Sequence, residues 1–296
     1  MRVILMHNPS AGSEDHTARD LTRRIRAAGH EIVADVTRRK ELHAALERPC
    51  DLVAAAGGDG TIAKAAEAVA GSGIPLTVIP LGTANNIALT MGFQEDQEHF
   101  AESWDAAVIL GFDRAIATRD GAAEPFVESF GLGIFPEVIR KAKKLDDLDD
   151  REATLDRDLA LISKVAEESE PFHFTVSADG EDLSGDYILL ELMNIPYLGP
   201  NIPVAPSATP GDGKLDLVLA GERDRKRILE HLQKVRKGKK SALRLASRQA
   251  RHVVISSSQM RYHVDGSLCG SDPGKGGRLH FEIAVEPHAL QMLVPR

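Results

Sequence analysis

Leu52-Val53-Ala54-Ala55-Ala56-Gly57-Gly58-Asp59-Gly60-Thr61 is the stretch that decides the fold. Its first five residues are apolar and read as a buried strand. Three glycines around one carboxylate follow at once, and Thr61–Ala70 then runs Ala-rich and helix-favouring. A strand, a glycine turn and a helix make the βα step of a parallel sheet. Glycine has no Cβ to hold a ligand away. The first amides and the dipole of the following helix would face an anion resting on the turn. The pattern therefore predicts a phosphate site at 57–61.

The neighbouring sequence repeats the step. Val3–His7, Ile32–Val36 and Leu76–Ile79 read as further strands. Leu21, Ile25 and Ala28 recur at helical spacing, with Gly29 placed to end that helix. Lys40–Glu47 reads as a short helix, Gly82–Asn86 as the opening of another, and Gln97–Leu110 as a further one. Such alternation implies a parallel sheet covered on both faces, with ligands at the carboxyl ends of its strands. The loops at 8–12, 57–61 and 81–86 all fall at those ends.

Beyond about Gly111 the rhythm changes. Helices are expected at Pro136–Leu145, Leu155–Glu167 and Arg225–Val235. Strands without regular crossovers are expected at 114–118, 125–130, 172–177, 187–193, 215–220, 252–256, 259–264 and 279–285. Ala178-Asp179-Gly180-Glu181 reads as a hairpin turn. The reading is α/β plus β. A Rossmann-like parallel-sheet domain spans 1–112 and is completed by 287–296. A mostly antiparallel β-sandwich spans 113–286.

The totals narrow the function. A chain of 296 residues suits two domains, and 43% hydrophobic with 27% charged residues is the balance of a soluble globular protein. Cys50 and Cys269 give neither a disulfide framework nor metal-ligand spacing, which fits a reducing cytosol. Met1–His7 is too short for the apolar region of a signal peptide, and eighteen apolar residues never run together. A net charge of −8 argues against general nucleic-acid binding. That charge is uneven. Between Arg223 and Arg251 twelve Lys and Arg face two acids, a local +10, whereas 146–158 is strongly acidic. The basic run reads either as a solvated helix face or as a surface for anionic lipid headgroups, with Ile228, Leu229, Leu232 and Val235 as an apolar stripe inside it.

Two familiar phosphate signatures fail. Gly270–Gly276 carries a Gly-Lys pair but is one residue short of a P-loop and has no hydroxyl after Lys275. Gly58-Asp59-Gly60-Thr61-Ile62-Ala63 fits the dinucleotide fingerprint, yet no acid lies between Glu67 and Glu95 to bind a ribose. Dinucleotide-dependent reduction is thereby a weak reading.

The set of motifs resembles the diacylglycerol kinase catalytic-domain family, which includes bacterial lipid kinases and the sphingosine and ceramide kinases. The resemblance rests on Asn8-Pro9-Ser10-Ala11-Gly12, Gly57-Gly58-Asp59-Gly60-Thr61 and Pro80-Leu81-Gly82-Thr83-Ala84-Asn85-Asn86, in that order. It continues through Gly131-Leu132-Gly133, Asp179-Gly180-Glu181, Asp212-Gly213-Lys214-Leu215-Asp216 and Asp265-Gly266. The resemblance implies ATP in a cleft between the two domains, Mg²⁺, and γ-phosphoryl transfer to a lipid hydroxyl. It implies that Asn8, Ser10, Gly57, Gly58, Gly60, Thr61, Gly82, Thr83 and Asn85 hold the nucleotide. Asp59 is implied beside the phosphates, holding Mg²⁺ or accepting the hydroxyl proton; Asp265 is a catalytic candidate only because the family's usual base, two residues on, is Ser267 here, so that Asp59, Asp265 or a nearby acid takes its task or activity is low or lost. Asp212 and Asp216 match an acidic segment linked to a structural Mg²⁺. The implied partner is a lipid at a membrane surface, met peripherally from the cytoplasm without nucleic acid; a homodimer is compatible with it.

Two positions depart from the family pattern. Where the family commonly reads Gly-x-Gly-Phe-Asp, this chain has Phe135 in place of the acid; where it reads Asp-Gly-Glu, this chain has Ser267. A serine of ordinary pKa is no general base. Two alternatives therefore stand beside the lipid kinase: a kinase for a soluble acceptor such as NAD, and a catalytically weak nucleotide- or lipid-binding regulator.

Overall fold

The computed structural model describes residues 1–9, 11, 17–93, 99–145, 150–239, 241, 243–270 and 277–296. The chain divides into two units, Met1–Arg114 with Pro287–Arg296, and Ala115–Glu286.

In the first unit, β1 (Arg2–His7), α1 (Ala18–Ala27), β2 (Glu31–Val36), α2 (Arg39–Ala45), β3 (Leu52–Gly57), α3 (Asp59–Val69), β4 (Leu76–Pro80) and α4 (Asn86–Thr90) follow in order. Parallel pairing gives the sheet order β4-β3-β1-β2, the arrangement that the βα rhythm demands. Every residue of β3 is buried, as expected of a strand covered on both faces. Val3, Leu5, Leu52, Ala54 and Ala56 pack with Leu21 and Ile25 of α1, while Ile62, Ala65, Ala66 and Val69 of α3 are buried too. Gly29 ends α1 at φ 87°, the left-handed geometry a helix stop uses.

The helix expected at Gln97–Leu110 does not form. Residues 94–98 lie outside the described set; Phe100–Ala106 is a 3₁₀ helix, and β5 (Val108–Arg119) begins directly after it. Val108 and Ile109 are β-branched, and extended backbone suits them better than a helix end.

The second unit continues with β6 (Ala122–Phe126), β7 (Ser129–Gly133), α5 (Ile134–Ala142), α6 (Arg151–Glu168), β8 (Phe172–Ala178), β9 (Glu181–Asp182), β10 (Gly185–Tyr187) and β11 (Leu189–Met193). Then come β12 (Tyr197–Leu198), β13 (Ile202–Pro203), β14 (Leu215–Ala220), α7 (Arg225–Arg236), β15 (Ala246–Ala250), β16 (His252–Ser257), β17 (Arg261–Val264), β18 (Ser267–Gly270) and β19 (Leu279–Val294). The strand expected at 125–130 is two strands, broken at Val127-Glu128, whose amides are claimed by a side chain described below. One antiparallel sheet runs β15-β14-β11-β7-β17-β18. Its one face packs on β8, β16 and the first half of β19 through Phe130, Leu190, Leu192, Leu217, Val253 and Phe281. Its other face is covered by α5, α6 and α7 through Phe135, Ile162, Leu189, Met193, Val218 and Leu232. Residues 279–284 of β19 pair with β16, and Met292, in the first unit, pairs with Leu76 of β4.

Of the acidic run, residues 146–149 lie outside the described set. Asp150 caps α6 by accepting from the amides of Glu152 and Ala153. Among the described residues, no helix is long and apolar enough to cross a membrane.

Candidate functional site

The three polar loops of the first unit are brought together by backbone. The Asn8 amide donates to Ala56 O at 3.0 Å, and the Leu81 amide to Gly57 O at 3.0 Å. The loops after β1, β3 and β4 thus meet at the carboxyl ends of their strands. Ser10 and Gly12 lie outside the described residues.

Four glycines here have two different reasons to be glycine. A Cβ on Gly57 would stand 2.6 Å from Thr61 Oγ1. A Cβ on Gly58 would stand 3.2 Å from Gly82 Cα, and one on Gly82 would collide with Gly58 Cα. The protein's own atoms therefore exclude side chains at 57 and 82 and leave only a tight fit at 58. At Gly60, the second residue of α3, an added Cβ would meet nothing within 4 Å. Gly60 is glycine beside open space at the start of an eleven-residue helix.

The Asp59 carboxylate is turned onto backbone. Its two oxygens accept from the amides of Asn86 at 3.0 Å and Ile87 at 2.9 Å. Burial pushes its pKa up, and the amides of residues 85–87 together with its own pull it back. A charge spread over several N–H donors is tightly held, so Asp59 latches the loop after β4 onto the loop after β3. Asn85 completes the latch from inside. It sits at φ 54°, buried, accepting from the Gly82 amide at 2.9 Å and donating to Gly82 O at 2.7 Å. Thr61 is buried and Thr83 exposed.

The remaining predicted residues belong to the second unit. Asp265 occupies the β17–β18 turn at φ 44° with Gly266 at φ 70°. Its carboxylate accepts from the amides of Val127 at 3.0 Å, Glu128 at 2.8 Å and Ser129 at 3.0 Å. Burial pushes its pKa up to about 6, against the pull of those three amides and of the His263 charge. Asp216 is buried on β14 and accepts from Ser207 Oγ at 2.8 Å. Asp216, Met193 and Ser129 are successive cross-strand partners, and the Asp265 amide bonds Ser129 O. Asp216 and Asp265 therefore share one row of the sheet, three strands or roughly 14 Å apart.

Asp212 and Asp216 do not form an open metal cage. Gln249 Nε2 donates to both, at 3.2 and 3.4 Å, and Asp212 also accepts from the Lys214 amide at 2.9 Å. An N–H donor stands where a cation would need an oxygen. Among the described residues, no group of three or more His, Cys, Asp or Glu could hold a metal ion. This set does not fit a metal held by protein groups alone, and no step is assigned to one.

Both departures have a structural place. Phe135 is buried in the helix-side core, and Ser267 is exposed at the start of β18. The sequence reading also missed a buried acid and histidine, Glu191 and His263, in contact at 3.0 Å. The available signal was a lone Glu inside the apolar run Leu189–Met193.

The basic run differs from the surface expected of it. Ile228 and Leu232 are buried and Leu229 and Val235 half-buried, all packed on the helix-side core, so the apolar stripe faces inward. Arg225 pairs with Glu222, Lys226 with Glu230, Arg227 with Asp224 and Arg236 with Asp156. Lys234, Lys237 and Lys239 are exposed; Lys240 lies outside the described residues.

Residues 2–113 match the diacylglycerol kinase catalytic domain family, and residues 141–294 match the YegS C-terminal NAD kinase beta sandwich-like domain. The chain is 26% identical over 309 residues to a diacylglycerol kinase of Mycobacterium tuberculosis, covering 100% of this chain and 96% of that one. It is 26% identical over 299 residues to a diacylglycerol kinase of Bacillus subtilis, covering 96% and 95%. It is also 26% identical over 312 residues to a Stenotrophomonas maltophilia protein named "Probable lipid kinase YegS-like", covering 99% and 95%. A crystal structure of a diacylglycerol kinase from Bacillus anthracis str. Sterne shares the fold, with a TM-score of 0.72 at 21% identity over 99% of this chain and 96% of that one.

Proposed function

The chain belongs to the family that joins a diacylglycerol kinase catalytic domain to a YegS-type β-sandwich, and from that membership we propose that it is an ATP-dependent lipid kinase. The observation that carries this reading is the contrast among the glycines. Gly57, Gly58 and Gly82 build the loop cradle, and Gly60 leaves its mouth open at a helix N-terminus. Backbone amides at such a place bind phosphate oxygens without a side chain.

Phosphoryl transfer asks the protein for positioning, charge neutralisation and one carboxylate to manage the nucleophile. The acceptor hydroxyl oxygen bonds the γ-phosphorus, the bond to the β–γ bridging oxygen breaks, ADP leaves, and the hydroxyl proton goes to a base. Asp59 latches the loop after β4 onto the loop after β3 and is assigned the role of a positioning residue. Asp265, at about 6, has a proton affinity suited to a base near neutral pH. Mg²⁺ would be carried in on the nucleotide's phosphates. Lipid contact is assigned to the exposed Lys234, Lys237 and Lys239, and anionic vesicles should bind less as salt rises, because exposed charges are screened beyond about 8 Å at physiological ionic strength.

A second reading, a weak nucleotide-binding regulator, is favoured by Phe135 and Ser267, which leave those two positions without acids. γ-Labelled ATP offered with diacylglycerol, a sphingoid base, ceramide and NAD separates the readings. Label in a lipid is expected. Label in NAD alone overturns lipid transfer, and ATP binding without any transfer supports the regulator.

A further inference from the structure

Asp59 is the one charged residue of the three polar loops; positions 8–12, 57–61 and 81–86 hold no Lys or Arg. The helices that open from the second and third loops, α3 and α4, hold one basic residue between them, Lys64. A nucleoside triphosphate brings several negative charges to such a place, and backbone amides carry only partial charge. Lys64 follows Gly60 by four residues, so the two are neighbours on one face of α3. Both are exposed, while Thr61, Ile62, Ala65, Ala66 and Val69 are buried on the opposite face. Four residues are about 6 Å along the helix axis, within reach of a four-carbon stem. Side chains on a helix lean toward its N-terminus, which carries this ammonium toward the first turn of α3. An added Cβ at Gly60 would meet nothing within 4 Å, so that lane stands open. The acids of α3 are engaged elsewhere. Asp59 faces the amides of Asn86 and Ile87, and Glu67 pairs with Arg39. Among the described residues, Lys64 pairs with no carboxylate.

We propose that Lys64 is a binding residue for the phosphate chain of the nucleotide: its ammonium neutralises phosphate oxygens lying over Gly60 at the start of α3. This role rests on the reading of the first unit as an ATP site. It gives two residue choices one reason. Glycine is a poor helix residue, and at position 60 any side chain would stand between the ammonium and the first amides of α3. Lysine is a compact charge on a flexible stem, suited to phosphate oxygens that present no single fixed plane. The consequence is selectivity for charge. A triphosphate gains more from Lys64 than a diphosphate does, and adenosine gains nothing.

Calorimetry on the full chain with ATP, ADP, adenosine and inorganic tripolyphosphate is the test. Lys64→Met keeps the stem and the helix and removes the charge. ATP and tripolyphosphate should bind it about tenfold more weakly, with a smaller loss for ADP and none for adenosine. Lys64→Arg should restore most of the affinity, and the salt dependence of ATP binding should flatten in Lys64→Met alone. Lys40→Met, which removes an exposed charge from α2, should leave ATP affinity in place. Equal ATP affinity in Lys64→Met and the parent protein overturns the proposal, as does an equal loss in Lys40→Met or for adenosine. The lipid-kinase reading fails separately. If the parent labels no lipid while tripolyphosphate still distinguishes Lys64→Met, Lys64 keeps its role and lipid transfer falls. If lipid is labelled and Lys64→Met binds ATP as the parent does, Lys64 alone falls. If neither ATP nor tripolyphosphate binds the parent, both fall.

Discussion

Asp59 in the first unit and Asp265 in the second do the same mechanical work in different surroundings. Each turns its carboxylate onto consecutive backbone amides of another segment, residues 86–87 for Asp59 and 127–129 for Asp265. Each is pushed toward neutrality by burial and held charged by those amides. Around Asp59 the neighbours are glycines packed backbone to backbone, and the latch is as rigid as that packing. Around Asp265 stands an ionisable histidine, itself paired to a buried glutamate. One fastening is steric, and the other is set by protons.

The steric side should fail first and hardest. Gly82→Ala forces a Cβ into the Gly58 backbone, which has no rotamer to yield, so we expect a loss of about 3 kcal/mol or more in denaturant unfolding. A loss under about 1 kcal/mol would mean that the two loops are free to separate, and the contrast with Asp265 would dissolve.

The proton-set side has a signature in pH. The ordinary carboxyl value is 3.8 and the folded value for Asp265 about 6. Between them the folded chain keeps a proton that the unfolded chain has released, so this group's contribution falls as pH rises through that window. Compared with Asp265→Asn, the parent protein should therefore gain relative stability on acidification from pH 7 to pH 4, by up to about 3 kcal/mol. Parallel curves from the two proteins would place the Asp265 carboxyl at its unfolded value.

Asp59→Ala removes an acceptor from the start of α4 without adding bulk. A cost of about 2 kcal/mol is expected, with hydrogen exchange quickening at Asn86 and Ile87 and staying slow at Val127–Ser129. Exchange rising in both segments would show that the two latches are not independent.

Gly60→Ala should have the smallest effect on stability. The Cβ enters open space at a helical position, so stability should rise by up to about 1 kcal/mol. ATP affinity by calorimetry should nevertheless drop. Unchanged affinity would show that the open space is not where phosphate approaches.

Much of the first unit was legible in the chain itself. Leu52–Ala56 is an uninterrupted apolar run and Leu76–Ile79 one broken only by Thr77; both are short and ended by glycine or proline, which favours a strand covered on both faces over a buried helix. The helix at Gln97–Leu110 was misread because apolar residues at 100, 101 and 104 keep helical spacing, whereas the strand from Val108 is fixed by pairing with β19, far along the chain. The direction of the α7 stripe was equally hidden. An amphipathic helix with a basic face is written alike whether its apolar side meets a bilayer or a protein core, and Ile228 and Leu232 meet the core.

By itself, the sequence determined which loops fall at the carboxyl ends of the first sheet, because period and glycine punctuation act over a few residues. Tertiary structure alone decided what the carboxylates in those loops do. Asp59 finds its amides 27 and 28 residues on, Asp265 finds its own 136 to 138 residues back, and Glu191 finds His263 at a separation of 72. Local sequence carries no trace of such partners. A carboxylate's proton affinity depends on the burial and donors that the whole fold assembles around it.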